Sequence, residues 1–236
     1  MYEGCRRIVD MHDGMMERLS SVRSQEEVLK IGATDIIYSE RFSKNIVNFH
    51  ESNPNIQMEF VSLGYYDCER YLENDIVDLC ITMKLDSLAK YKFKRVWTDL
   101  FHLYTDKANP LASKTKVRIK DLANEKIILL SNNTKGGSML REYFIDKGFI
   151  ANIILSTSQM SLAFEYVTAQ MGVAILPFYG TPQEYCRRKD VVSIEIQDLD
   201  CFCEMGILYL KDKMLSRQES DFISYFADTV NCWDDL

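Results

Sequence analysis

Four short segments gather the side chains that could hold a ligand: "GATD" (32–35), "SNNTKGGS" (131–138), "STSQMS" (156–161) and "PFYG" (177–180). Each follows an apolar run. Thr34, Ser131, Asn132, Asn133, Thr134, Ser156, Thr157, Ser158 and Gln159 supply hydrogen-bond donors and acceptors but little that can catalyse. Several precede helical patterns, where unpaired N–H groups and the positive end of the helix dipole favour an anion. A small carboxylate could be held there without a salt bridge. Ser138 and Ser158 have a second use, since serine commonly caps helices. Four such clusters at strand ends nevertheless point to a pocket.

Catalytic equipment is thin. His12, His50 and His102 are the chain's histidines, none in HxxxH or HExxH spacing, and no GxSxG, P-loop or GxGxxG sequence occurs. "KGG" (135–137) is a weak phosphate-loop signal, and Asp75 and Asp78 read as a turn acid and a structural acid rather than a catalytic pair. The expectation is a binding module with no metal and no cofactor.

The elements that must position these segments alternate. Strand patterns fall at 28–34, 56–63, 77–82, 97–105, 126–131, 152–157, 173–176 and 204–211. Helical patterns fall at 39–54, 66–74, 119–124, 138–148, 161–171 and 217–230. Such alternation predicts an α/β fold with parallel βαβ units in two series, and ligands in such sheets bind beyond the carboxyl ends of the strands. Gly172 is expected to end the 161–171 helix in a left-handed turn. Upstream, Ile8, Met11, Met15, Leu19 and Val22 recur at spacings of three and four, the seam of a helix that pairs with a partner or folds back on its own domain.

Composition narrows the class. The 236 residues are 47% hydrophobic, sufficient for a sizeable core, and carry a formal net charge of -7. That acidity argues against a nucleic-acid surface, which needs clustered Lys and Arg. No run of about 18 apolar residues exists, so no membrane span is expected. The N-terminus lacks an apolar signal-peptide core. Seven cysteines (Cys5, Cys68, Cys80, Cys186, Cys201, Cys203 and Cys232), with no CxxC pair, read as reduced thiols of a cytoplasmic protein.

Taken in order, "LKIGAT", "FSKNIVNFHESNPNIQMEF", "LENDIVDLCIT", "LYTDKANPLASKTKVRIKDLANEKIILL" and "YVTAQMGVAILP" resemble the effector-binding domain of LysR-type transcriptional regulators. The resemblance runs from Leu29 to Phe226. It implies two lobes of mixed, mostly parallel sheet flanked by helices, like type 2 periplasmic binding proteins: 29–103 with 206–236, and 104–205. Residues 1–28 would be the linker and dimerisation helix. A small-molecule effector would occupy the interlobe cleft against Thr34, Ile36, Ser131, Asn132, Ser158, Gln159, Pro177 and Phe178. The family often has a hydroxyl where Ile36 stands, and the usual "HPLA" has Asn109 in place of His. The family further implies a homodimer or homotetramer, with DNA bound only through an N-terminal winged helix-turn-helix that is not found in this sequence. The alternative is a solute-binding protein of a transporter, disfavoured by the missing signal and the cysteine count.

Overall fold

In a computed structural model, which describes residues 28–34, 40–178, 186 and 190–229, the apolar runs become strands of two sheets joined by one long strand. The expected pairing helix, with Ile8, Met11, Met15, Leu19 and Val22, lies outside the described residues, as does Ile36.

The strands are β1 (Leu29–Ala33), β2 (Met58–Ser62), β3 (Leu79–Met83), β4 (Tyr91–Asp106), β5 (Lys116–Val117), β6 (Lys126–Leu130), β7 (Asn152–Thr157), β8 (Val173–Pro177), β9 (Val191–Ile196) and β10 (Phe202–Leu210). The α-helices are α1 (Glu40–Ser52), α2 (Cys68–Glu73), α3 (Lys135–Asp146), α4 (Met160–Thr168) and α5 (Arg217–Thr229). The strand order is β2-β1-β3-β10-β4-β8-β6-β7, with β9 on β4 and β5 on β9. Five strand pairings are parallel and four, all involving β4 or β10, are antiparallel. The fold is thus mixed, mostly parallel sheet with flanking helices.

β4 is the hinge between the two sheets. Its residues from Tyr91 to Leu100 pair with β10, whereas Phe101 to Tyr104 pair with β8 and His102 to Asp106 with β9. The sequence pattern placed this strand at 97–105. The six residues before it, "YKFKRV", carry three cations and disguise a strand with an exposed face. β9 was not foreseen at all, because "VVSIEI" interleaves Ser and Glu with its apolar residues.

Phe42 and Phe49, seven residues apart, lie on one face of α1 and meet Phe222 and Phe226 of α5. Burying each ring contributes about 1.5–3 kcal/mol. These helices cover one face of the first sheet, while Cys68 and Leu72 of α2 pack on the other with Cys80 and Leu208. α5 is also tied electrostatically. The Lys213 ammonium sits 2.9 Å from Asp78 and 2.7 Å from the buried Glu219. Glu219 also accepts from the Ser216 N–H at 2.7 Å while its own N–H donates to the Ser216 hydroxyl, a reciprocal cap that starts the helix. Asp78 therefore has the structural role its position suggested.

One glycine expectation is corrected, and a second glycine has a packing role. After α4 the left-handed residue is Gln170, with φ 59°, not Gly172. Gly172 is required by proximity instead: a Cβ there would lie 2.4 Å from the Lys126 carbonyl oxygen, where β8 joins β6. In the "KGG" segment, a Cβ on Gly137 would lie 2.2 Å from the Ser131 carbonyl, so this glycine lets α3 start directly against the end of β6.

Candidate functional site

The carboxyl ends of β1, β3, β6 and β8 converge on a cleft of about 490 Å³ between the two sheets. From the first sheet come Thr34, Ser62, Gly64, Tyr65, Thr82 and Asp99, over a floor that includes Met83, Cys203 and Met205. From the second come Leu130, Asn133, Thr134, Gly136, Ser158 and Pro177.

Local sequence explains each position. Thr34 follows the last residue of β1, its N–H donating to the Ile81 carbonyl at 3.4 Å. Thr134 is the N-cap of α3, its hydroxyl accepting from the Gly137 N–H at 3.1 Å. Helix α3 thus begins three residues before the expected 138, and Ser138 is inside it rather than at its cap. The cap accounts for one of the first-turn donors; those of Lys135 and Gly136 have no partner within the helix. Arg141 fastens this arrangement. Its guanidinium donates to the Leu130 and Gly137 carbonyls at 2.7 and 2.9 Å and to the Ser156 hydroxyl at 2.7 Å.

The cleft has a polar group left over. Thr82, at 0% exposure, has a hydroxyl without a hydrogen-bond partner among the described residues. The Cys68 thiol beside it donates to the Gly64 carbonyl at 3.6 Å, and its contacts with Cys80 first and then Thr82 lower its pKa. Across the mouth, the Lys135 ammonium lies 2.6 Å from Asp86 and 5.7 Å from the Tyr65 ring centre, a contact reaching from α3 to the first sheet. Burial, and then the Asp86 charge, hold the Tyr65 phenol well above its ordinary pKa, so it stays a neutral donor, directed to the Lys84 carbonyl. Deeper in, Asp99 is fully buried on β4 opposite Cys203 of β10. Burial first, then the Asp99 charge, push the Cys203 thiol far above its usual value, and Cys201 is raised to about 11. Neither thiol is poised as a nucleophile.

Of the residues expected at the site, Thr34, Ser158 and Pro177 line the cleft. Ser131, Asn132, Gln159 and Phe178 are not on its surface. Ser131 donates its N–H to the Thr157 carbonyl at 3.0 Å. The Gln159 N–H is taken by the Thr157 hydroxyl at 2.9 Å, and Asn132 is exposed. The Phe178 ring lies 4.4 Å from that of His102. Sequence reasoning missed Ser62, Gly64, Tyr65, Thr82, Met83, Asp99, Cys203 and Met205. Thr82 ends the run "VDLCIT" and was reachable by the strand-end rule that found Thr34. Asp99 and Cys203 were not, because they meet only through the antiparallel β4–β10 pairing.

The LysR substrate binding domain model matches residues 23–231, most of the chain. The chain belongs to that family. Relatives of this LysR-type domain include the uncharacterised HTH-type transcriptional regulator YybE of Bacillus subtilis, 22% identical over 92% of this chain and 74% of that protein. MetR of Salmonella typhimurium is 26% identical over 56% of this chain and 41% of that protein. Among solved structures, the effector binding domain of QuiR in complex with shikimate aligns with a TM-score of 0.78 at 15% identity, over 88% of this chain and 99% of that one. The Synechocystis CcmR regulatory domain in complex with 2-PG aligns at 0.74 and 14%, over 86% and 96%. At these identities the solved structures share the fold alone. The family and these relatives are transcription regulators, not enzymes. Among the described residues, no helix is long and apolar enough to cross a membrane.

Proposed function

We propose that this chain is the effector-sensing portion of a cytoplasmic transcription regulator, binding a small carboxylate or similarly polar metabolite in the cleft. The bound metabolite would bias the conformation of a homodimer or homotetramer. Contact with DNA would belong to the family's N-terminal helix-turn-helix.

The observation that carries this reading is the unpartnered Thr82 hydroxyl, buried in a cavity that also gathers Thr34, Ser62 and Ser158 from strand ends and Thr134 from a helix start. A buried polar group costs free energy unless something hydrogen-bonds it, and a ligand in this cavity would do so. The walls come from both sheets, so a ligand's affinity depends on how the two are set. That difference in affinity between conformations is what a regulator transmits. We take the closing bodies to be 29–103 with 206–236, and 104–205. Shikimate on QuiR and 2-PG on CcmR support a small-molecule ligand.

A melting-temperature screen of small carboxylates, amino acids and aromatic metabolites tests the reading, since a ligand that prefers the folded state raises the melting point. For a hit, Thr34→Ala and Ser158→Ala should each weaken binding by about 1–3 kcal/mol. Unchanged affinity in both variants would remove the ligand from this cleft.

A further inference from the structure

We propose that the chain carries a second ligand site, at the opposite end of the second sheet from the cleft, which takes a small organic cation with a primary ammonium group. The two sites share no lining residue.

A cavity of about 350 Å³ lies where β4 ends and where β6 and β8 begin. Thr105 and Asp106 line it from β4, Glu125 and Lys126 from the start of β6, and Gln170 and Met171 from the turn before β8. The deciding group is Thr105. It is 1% exposed, and its hydroxyl has no hydrogen-bond partner among the described residues. Two positions after Leu103, it shares that residue's face of β4. The segment from Asn109 to Glu125 covers this face, burying Leu111, Val117 and Leu122 in one cluster with Leu103. The two ends of the cover meet at the cavity, where the Asn109 amide donates to Glu125 Oε2 at 3.2 Å. The Thr105 hydroxyl therefore faces the cavity beneath the cover's open end, and a buried hydroxyl calls for a partner.

The two carboxylates decide the sign of that partner's charge. Asp106 Oδ1 accepts from the Ala108 N–H at 2.8 Å and from the Gln170 amide at 3.2 Å. Together with the Asn109 amide on Glu125, these donors are all neutral. Neither acid has an ion-pair partner among the described residues, and Asp106 Oδ2 and Glu125 Oε1 accept no hydrogen bond there. Against these two acids stands one lysine, Lys126, whose residue is exposed at the rim. The balance favours a cation. An ammonium brings three N–H donors, for which carboxylate oxygens and a hydroxyl are good acceptors. The cavity is roomier than a bare metal ion needs, and Met171, 47% exposed, offers an adaptable apolar surface to a short carbon chain.

The test is titration calorimetry on the 236-residue chain with butylamine and 1,4-diaminobutane, beside 1-butanol, butyrate and calcium chloride. The expected result is saturable binding of at least one amine and none of the alcohol or butyrate. Binding of that amine should weaken at least fivefold in both Thr105→Val and Glu125→Gln. If no amine binds, the proposal falls, because water then suffices as the hydroxyl's partner. Equal binding of the alcohol overturns it too, as does calcium binding where the amines do not. Full affinity in both variants would put the amine elsewhere on the molecule and overturn the assignment. Should Glu125→Gln not fold, Asp106→Asn serves in its place, and amine against alcohol on the unsubstituted chain decides the ligand class without any variant.

Discussion

Replacing Thr82 with valine exchanges a hydroxyl for a methyl of nearly the same shape at a site with 0% exposure. Because that hydroxyl has no partner among the described residues, the folded protein without ligand bears its desolvation cost, about 1–3 kcal/mol. Thr82→Val should therefore stabilise the ligand-free protein. At about 2–4 °C per kcal/mol for a chain of this length, the melting temperature should rise by roughly 2–12 °C. Effector affinity should move oppositely. A ligand atom that pairs with the hydroxyl loses its partner, costing about 1–3 kcal/mol, or roughly 5- to 150-fold in Kd. Scanning calorimetry on the free protein and titration calorimetry with a screened ligand read the two arms separately. A variant that melts lower than the parent and binds with unchanged affinity would refute the reasoning, because the hydroxyl would then be a satisfied part of the core.

Three further outcomes follow from other parts of the structure. Burial holds the His102 imidazole below its ordinary 6.5, against the opposing pull of the Glu195 charge. The unfolded chain thus takes up the proton first, so this stability is complete above about pH 6.5 and is lost as pH falls toward the depressed folded value. His102→Asn should flatten the fall in melting temperature between about pH 7.5 and 5.5, and an identical pH profile would contradict it. Glu219→Ala removes the ion pair to Lys213 and the reciprocal cap with Ser216, and should cost about 2–4 kcal/mol in urea denaturation. Gly172→Ala forces a Cβ to within 2.4 Å of the Lys126 carbonyl oxygen and should destabilise by about 1–3 kcal/mol, whereas a stabilised variant would show that β8 can shift freely against β6.

The order of strands and helices was legible because apolar period is local: "KIILL" and "VAILP" are continuous apolar runs, and Phe42 and Phe49 recur on one face of a helix. Strand-end logic then located Thr34, Ser158 and Pro177, since direction along a strand is also written in the chain. Cap choice was less legible. Thr134 and Ser138 are both good caps, and only the close approach of Gly137 to Ser131 selects the first. Gln170 rather than Gly172 takes the left-handed turn for a similar reason, because the packing of β8 on β6 already requires the glycine.

By itself, then, the sequence determined that this is an α/β sensing module, in which ordered motifs set the family and hydroxyl-rich strand ends set the general place of the cleft. Tertiary structure decided which side chains face that cleft. Asp99 and Cys203 lie 104 positions apart in the chain and come together through an antiparallel ladder whose register no local pattern encodes. Whether the Thr82 hydroxyl finds a partner depends on every group packed around it. Periodicity records which face of an element is buried, but not what that face is buried against.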